Sequence, residues 1–109
     1  MKVYEPAATT NPETIERYGQ LAVRGDTAEV AARGWTEAGF EDAMTARWLR
    51  ARCFDAWAAR ALSDLGVTPE QAAVRTRDGG EGHIDTIGWK VANRDLTPRQ
   101  GAARSLSSR

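Results

Sequence analysis

Apolar residues along the chain recur at three- and four-residue intervals, and strict alternation is almost absent. That spacing predicts amphipathic helices, and the sparse Val and Ile leave little basis for strands. Phe40, Met44, Trp48 and Ala51 fall on one helical face, and Phe54, Ala58, Ala61, Leu62 and Leu65 on another. Trp57 lies at the edge of the second face, and Ala31 pairs with Trp35. These faces place Phe40, Trp48 and Phe54 in a core.

The strongest pattern is a helix-start signal used more than once. In Gly66-Val67-Thr68-Pro69-Glu70-Gln71 the threonine suits the N-cap. Pro69 suits the first helical position, and Gln71 can close a capping box. Leu96-Thr97-Pro98-Arg99-Gln100 repeats this grammar. Looser copies start near Gly39-Phe40-Glu41-Asp42 and Cys53-Phe54-Asp55, with Cys53 in the turn position held elsewhere by glycine. A further copy pairs Asp26 with Glu29 as a capping box. Each unit is a turn, a cap and a short helix that cannot stand alone, so neighbours must pack together. The expected fold is therefore all-α, a compact bundle of about five to seven short helices built from this unit.

The punctuation divides one domain, 1–109, into five stretches. Residues 1–10 read as an extended arm, and 11–75 as a helical body opened by Asn11-Pro12 with a first helix to about Val23. Residues 76–83 form a Gly-rich loop. Residues 84–104 form a pair of helices, the first capped by Asp85, and 105–109 a frayed tail.

Composition refines this picture. The 109 residues are 41% hydrophobic and 28% charged, which suits one globular domain. Lys and Arg balance Asp and Glu, so bulk affinity for nucleic acid is not indicated. Residues 75–109 are mildly basic, with seven bases against four acids. No stretch approaches the ~18 apolar residues of a membrane span, and Met1 to Pro6 show no signal-peptide core. The single cysteine allows no intrachain disulfide, and a cytoplasmic location is expected.

Catalytic and metal chemistry find little material. One His (His83) and Cys53 cannot supply a zinc set, and Cys53 reads as a buried structural residue rather than a nucleophile paired with His83. The Gly79-Gly80-Glu81-Gly82 loop lacks the Lys-Ser/Thr pair of a phosphate loop. No catalytic residue, metal ligand or cofactor is expected.

Binding chemistry is better represented. In the helix after Asp85, Ile84, Ile87, Gly88 and Val91 cluster on one side and leave Trp89 beside Lys90 and Arg94. If this helix packs on one face only, a tryptophan flanked by cations suits an interface hot spot; if it is covered on its second side as well, Trp89 belongs to the core. Arg47, Arg50 and Arg52 form a second basic group. These six residues are the expected partner-binding set.

The repeated Gly-Phe or Gly-Val turns with Thr-Pro-Glu caps and paired alanines resemble short helical repeats of many bacterial and phage proteins. The Gly39-Phe40 turn is also similar to that of ubiquitin-associated domains. The resemblance covers roughly residues 25–75 and 94–104. It implies a helical binding or scaffolding module and no catalytic residue.

The function expected is thus a non-enzymatic protein–protein interaction module, an adaptor or an inhibitor, with self-association as a further partner choice. A phage or mobile-element inhibitor of host defence, of the anti-CRISPR kind, fits on size and type alone. The alternative is a small DNA-binding regulator, because residues 61–73 resemble the two helices and turn of a helix-turn-helix motif. Against it, the start of the second helix carries Glu70 where a recognition helix needs bases.

Overall fold

The computed structural model describes residues 9–20, 25, 27–74 and 86–107. Among them are seven helices and no strand: α1 (Pro12–Arg17), α2 (Ala28–Glu37), α3 (Asp42–Arg50), α4 (Ala56–Asp64), α5 (Pro69–Ala72), α6 (Ile87–Ala92) and α7 (Pro98–Ser107). The fold is all-α, as the periodicity predicts. None of these helices is long and apolar enough to cross a membrane. Residues 1–8 of the expected arm 1–10, His83 and the Gly-rich loop lie outside the described residues.

Four of the helices, α2, α3, α4 and α6, are closed on the spot at their C-termini. After α2, Gly39 takes φ +91°, and its N–H bonds to Thr36 O (3.0 Å) while Phe40 N–H bonds to Trp35 O (3.1 Å). This is the Schellman arrangement, which satisfies carbonyls left without helical partners. It recurs after α4, where Gly66 has φ +88° and Val67 N–H reaches Leu62 O at 3.0 Å. It recurs again after α3 and α6 with arginine in the left-handed position: Arg52 at φ 63° and Arg94 at φ 66°. There Cys53 N–H reaches Trp48 O (3.1 Å) and Asp95 N–H reaches Lys90 O (2.8 Å).

Cys53 therefore does not occupy the glycine position expected for it. Arg52 does, and Cys53 is the counterpart of Phe40 and Val67. The buried residues at these matched positions are Phe40, Cys53 and Val67, paired in each turn with buried Trp35, Trp48 and Leu62. Trp35 and Phe40 meet edge to face, with ring centroids 5.4 Å apart.

N-termini are closed as locally. The capping boxes at Thr68/Gln71 and Thr97/Gln100 are both formed. Two other caps differ from the expected ones by one residue. Thr27 caps α2 through Val30 N–H, in place of the Asp26 box, and Thr86 caps α6 through Trp89 N–H, in place of Asp85. In both cases the threonine directly precedes the helix. The first helix ends at Arg17 rather than near Val23, since Gly19 follows at φ +77°.

Contacts group the chain into two units, Met1–Ala46 and Arg47–Arg109. In the first, α1 packs on α2. Buried Gln20 accepts from the Trp35 indole N–H at 3.0 Å. Thr10 is buried, its hydroxyl within 2.9 Å of Phe40 O and 2.6 Å of the Thr45 hydroxyl, and its N–H donates to Thr36 Oγ1 (2.9 Å). Asp42, in the first turn of α3, accepts from Asn11 N–H (2.9 Å), Asn11 Nδ2 (3.2 Å) and the Thr14 hydroxyl (2.7 Å).

In the second unit, α6 and α7 pack on each other and on α4 and α5. The pair after the Gly-rich loop thus packs with helices that precede it. Thr86 Oγ1 donates to Ala51 O, and Ile87 N–H donates to Val74 O at 3.0 Å. Leu65, expected on the apolar face of α4, is its exposed C-cap. The tail expected to fray from 105 is helical to Ser107, and Ser105 is buried, its hydroxyl 3.4 Å from Gln71 O.

Two glycines make opposite predictions. A Cβ on Gly101 would lie 2.5 Å from Val91 Cγ2, so the helices approach where only glycine fits. Gly101→Ala is expected to cost about 1–3 kcal/mol by overpacking. Gly34, inside α2, has nothing within 4 Å of such a Cβ, and Gly34→Ala is expected to gain about 0.5–1 kcal/mol from backbone entropy. Urea unfolding of the two variants checks both signs.

Asp42 gives a pH prediction. Partial burial pushes its carboxyl up, but hydrogen bonds from Asn11 and Thr14, with the Arg17 charge, outweigh it and hold the carboxyl below its ordinary 3.8. The folded carboxyl is the stronger acid, so its contribution is complete above that ordinary value and is lost as pH falls through the lower folded value. Asp42→Asn should lower the melting temperature at neutral pH, and the gap to the wild type should narrow below about pH 4. Thermal melts followed by circular dichroism across that range measure it.

Candidate functional site

The second unit contains a cleft of about 190 Å³ lined by Trp57, Val91, Arg94, Leu96, Thr97 and Pro98. Three local closures build it. Asp55 caps α4 by accepting from Trp57 N–H (3.1 Å), which fixes Trp57 in the first helical turn. The left-handed turn after α6 sets Arg94, and the Thr97-Pro98 cap of α7 supplies the opposite lip. Val91 and Leu96 are buried and form the apolar floor.

Trp57 is 50% exposed. The Arg94 guanidinium carbon sits 4.8 Å from the centroid of its ring, within cation–π range. The pair brings an aromatic ring and a planar guanidinium together at the cleft.

The expected partner-binding residues separate in this geometry. Arg94 lines the cleft, while the other five do not. Trp89 is half-buried rather than exposed, its ring edge to face with buried Phe54 at 6.0 Å. The helix is covered on its second side, which one-face periodicity cannot show. Lys90 is half-buried, and its carbonyl closes the α6 turn. Arg47 Nε donates to Glu70 Oε2 at 2.8 Å, and this guanidinium holds the Glu70 carboxyl below its ordinary value. Arg50 and Arg52 are exposed at the end of α3.

Sequence reading missed Trp57 as a site residue, together with Leu96, Thr97 and Pro98. The signal was available in part: Trp57 sits at the edge of its helical stripe, two residues after a capping aspartate. The segment 61–73 folds as the end of α4, a Schellman turn and the four-residue α5. Pro69 and Ala72 of α5 are buried and Glu70 is paired with Arg47, so few side chains remain to meet base edges.

Among the described residues, no three His, Cys, Asp or Glu side chains converge as a metal site. Burial pushes the Cys53 thiol up to about 12, far from the range of a nucleophile at neutral pH. No family model matches the chain, and neither a curated protein nor a solved structure matches it.

Cys53 is fully buried, so native protein is expected to leave a thiol reagent unreacted at neutral pH and to react stoichiometrically once unfolded in guanidinium. A disulfide-exchange colour assay separates the two states. Fast labelling of native protein would contradict the burial.

Proposed function

We propose that this chain is a non-enzymatic protein–protein interaction module, an adaptor or an inhibitor, working through the face around Trp57. The observation that carries the reading is the half-exposed Trp57 held under Arg94 at the mouth of an apolar cleft. Tryptophan and arginine are the side chains most enriched among interface hot spots. Capping by Asp55 and the closed turn at Arg94 hold both in place before binding, which lowers the ordering cost. The cleft volume is below the ~300–1,000 Å³ of small-molecule sites, so a side chain of a partner suits it better than a cofactor.

This places the working surface at Trp57 and Arg94 rather than at Trp89. A phage or mobile-element inhibitor of host defence, anti-CRISPR proteins among them, is the kind of small cytoplasmic binder this reading fits. The DNA-binding alternative would rest on α5, whose four residues offer little to a groove.

Trp57→Ala is expected to keep the helical circular dichroism of the wild type and to lose at least tenfold in capture of the protein partner from the cells that make it. Capture at the wild-type level would remove the cleft from the function. A collapsed spectrum would assign Trp57 to the core.

A further inference from the structure

The chemistry of the cleft carries the proposed interaction one step further, to the kind of segment that it takes. We propose that the Trp57–Arg94 cleft docks an acidic peptide segment that inserts a single apolar side chain between Trp57 and Pro98. The inference rests on the interaction-module reading above.

Charge supports the acidic partner. Among the described residues, Arg94 is the only ionic one lining the cleft. The nearest carboxylate in sequence to Trp57, Asp55, is directed to a backbone N–H of α4. The elements that build the cleft and their caps carry Arg60, Lys90, Arg94, Arg99 and Arg104 against Asp55, Asp64 and Asp95. Asp64 meets Arg60 at 3.1 Å, and setting that pair aside leaves four bases against two acids. The surroundings are therefore net basic in a chain whose total charge is zero. An arginine on an aromatic face keeps its donor fork free to meet a carboxylate in bidentate fashion.

Shape supports the single anchor. About 190 Å³ far exceeds the ~30 Å³ share of one water, yet falls short of a small-molecule site. Its walls are Trp57, Val91, Leu96 and Pro98, with Thr97 adding one hydroxyl. An aliphatic or aromatic side chain matches such a lining.

The backbone gives a third reason. Two sister turns place glycine at the left-handed position, at Gly39 and Gly66, while the turns after α3 and α6 place arginine there, Arg52 at φ 63° and Arg94 at φ 66°, and of these two only Arg94 lines the cleft. A non-glycine residue in that region is disfavoured, and such positions cluster at ligand clamps. Glycine would close the turn equally well but would leave the cleft with no cation.

Fluorescence anisotropy with the full chain tests the idea. The probes are short acidic peptides whose central position runs through Leu, Ile, Phe and Ser, and matched peptides with lysine replacing the acids. The apolar-centred acidic peptides should bind. The Ser-centred and lysine versions should each bind at least tenfold more weakly. Arg94→Gly should lower binding at least tenfold while leaving the thermal midpoint equal to or above that of the wild type. Arg94→Glu should reverse the preference toward the lysine peptides.

Equal binding of the lysine or Ser-centred peptides would overturn the proposal. So would absence of any peptide binding while Trp57-dependent partner capture persists, a result that leaves the interaction module standing and removes only its assigned chemistry. An oligothymidylate that binds in preference to the peptides would overturn it in favour of single-stranded nucleic acid.

Discussion

The left-handed turn that closes α2, α3, α4 and α6 is the constraint on which the described structure depends. A helix of nine or ten residues, such as α2, α3 or α4, is too short to persist alone in water. Its last carbonyls must find donors or remain unsatisfied. The Schellman turn supplies two donors and directs the next residue back against the helix that has just ended. Because that residue is Phe40, Cys53 or Val67, and the residue it returns to is Trp35, Trp48 or Leu62, the same turn that satisfies the backbone also adds a buried pair. Backbone closure and burial are thus one event, repeated at intervals of thirteen to fourteen residues. Large aromatics at these positions compensate for the many alanines elsewhere, which bury little area each.

The rest follows from how little space such turns leave. A short helix must start as firmly as it ends, hence the threonine and aspartate caps at Thr27, Asp55, Thr68, Thr86 and Thr97. Helices closed this tightly approach one another closely, and Gly101 against Val91 marks one place where a side chain would not fit. In the first unit the same economy is met with hydroxyls. Thr10 and Thr45 are buried as a hydrogen-bonded pair, and Thr10 also meets the carbonyl of Phe40, so the segment before α1 is tied to the turn after α2.

What was legible in the sequence was what local chemistry decides. The boxes at Thr68/Gln71 and Thr97/Gln100 involve residues three apart, so their pattern could be read directly. The all-α fold followed from the apolar spacing. The left-handed turns at Arg52 and Arg94 were not legible, because that position is read from glycine and here the hydrogen bonds of the turn outweigh the cost of a side chain. That concealed the match of Cys53 with Phe40 and Val67. Thr27 and Thr86 were passed over for neighbouring aspartates because one residue of register separates two good caps. The fates of Trp89 and Ser105 depend on other helices: Phe54 covers one, and α5 receives the other. No periodicity within a single helix contains that information. For the same reason Trp57, at the edge of its stripe, could not be recognised as the exposed aromatic.

Arg94 brings the two levels together. Its backbone belongs to the closing turn of α6 and its side chain to the face of Trp57. The left-handed conformation costs a non-glycine residue roughly 1–2 kcal/mol, while a partly exposed cation–π contact returns about 0.5–1 kcal/mol. The contact alone does not offset the strain, and the closing hydrogen bonds of the turn cover the remainder. Arg52, in the equivalent turn after α3, carries the same backbone cost. At Arg94, however, the side chain lines an apolar cleft and lies over an exposed tryptophan. In the proposed interaction module, arginine there supplies another molecule with a cation fixed beside an exposed tryptophan.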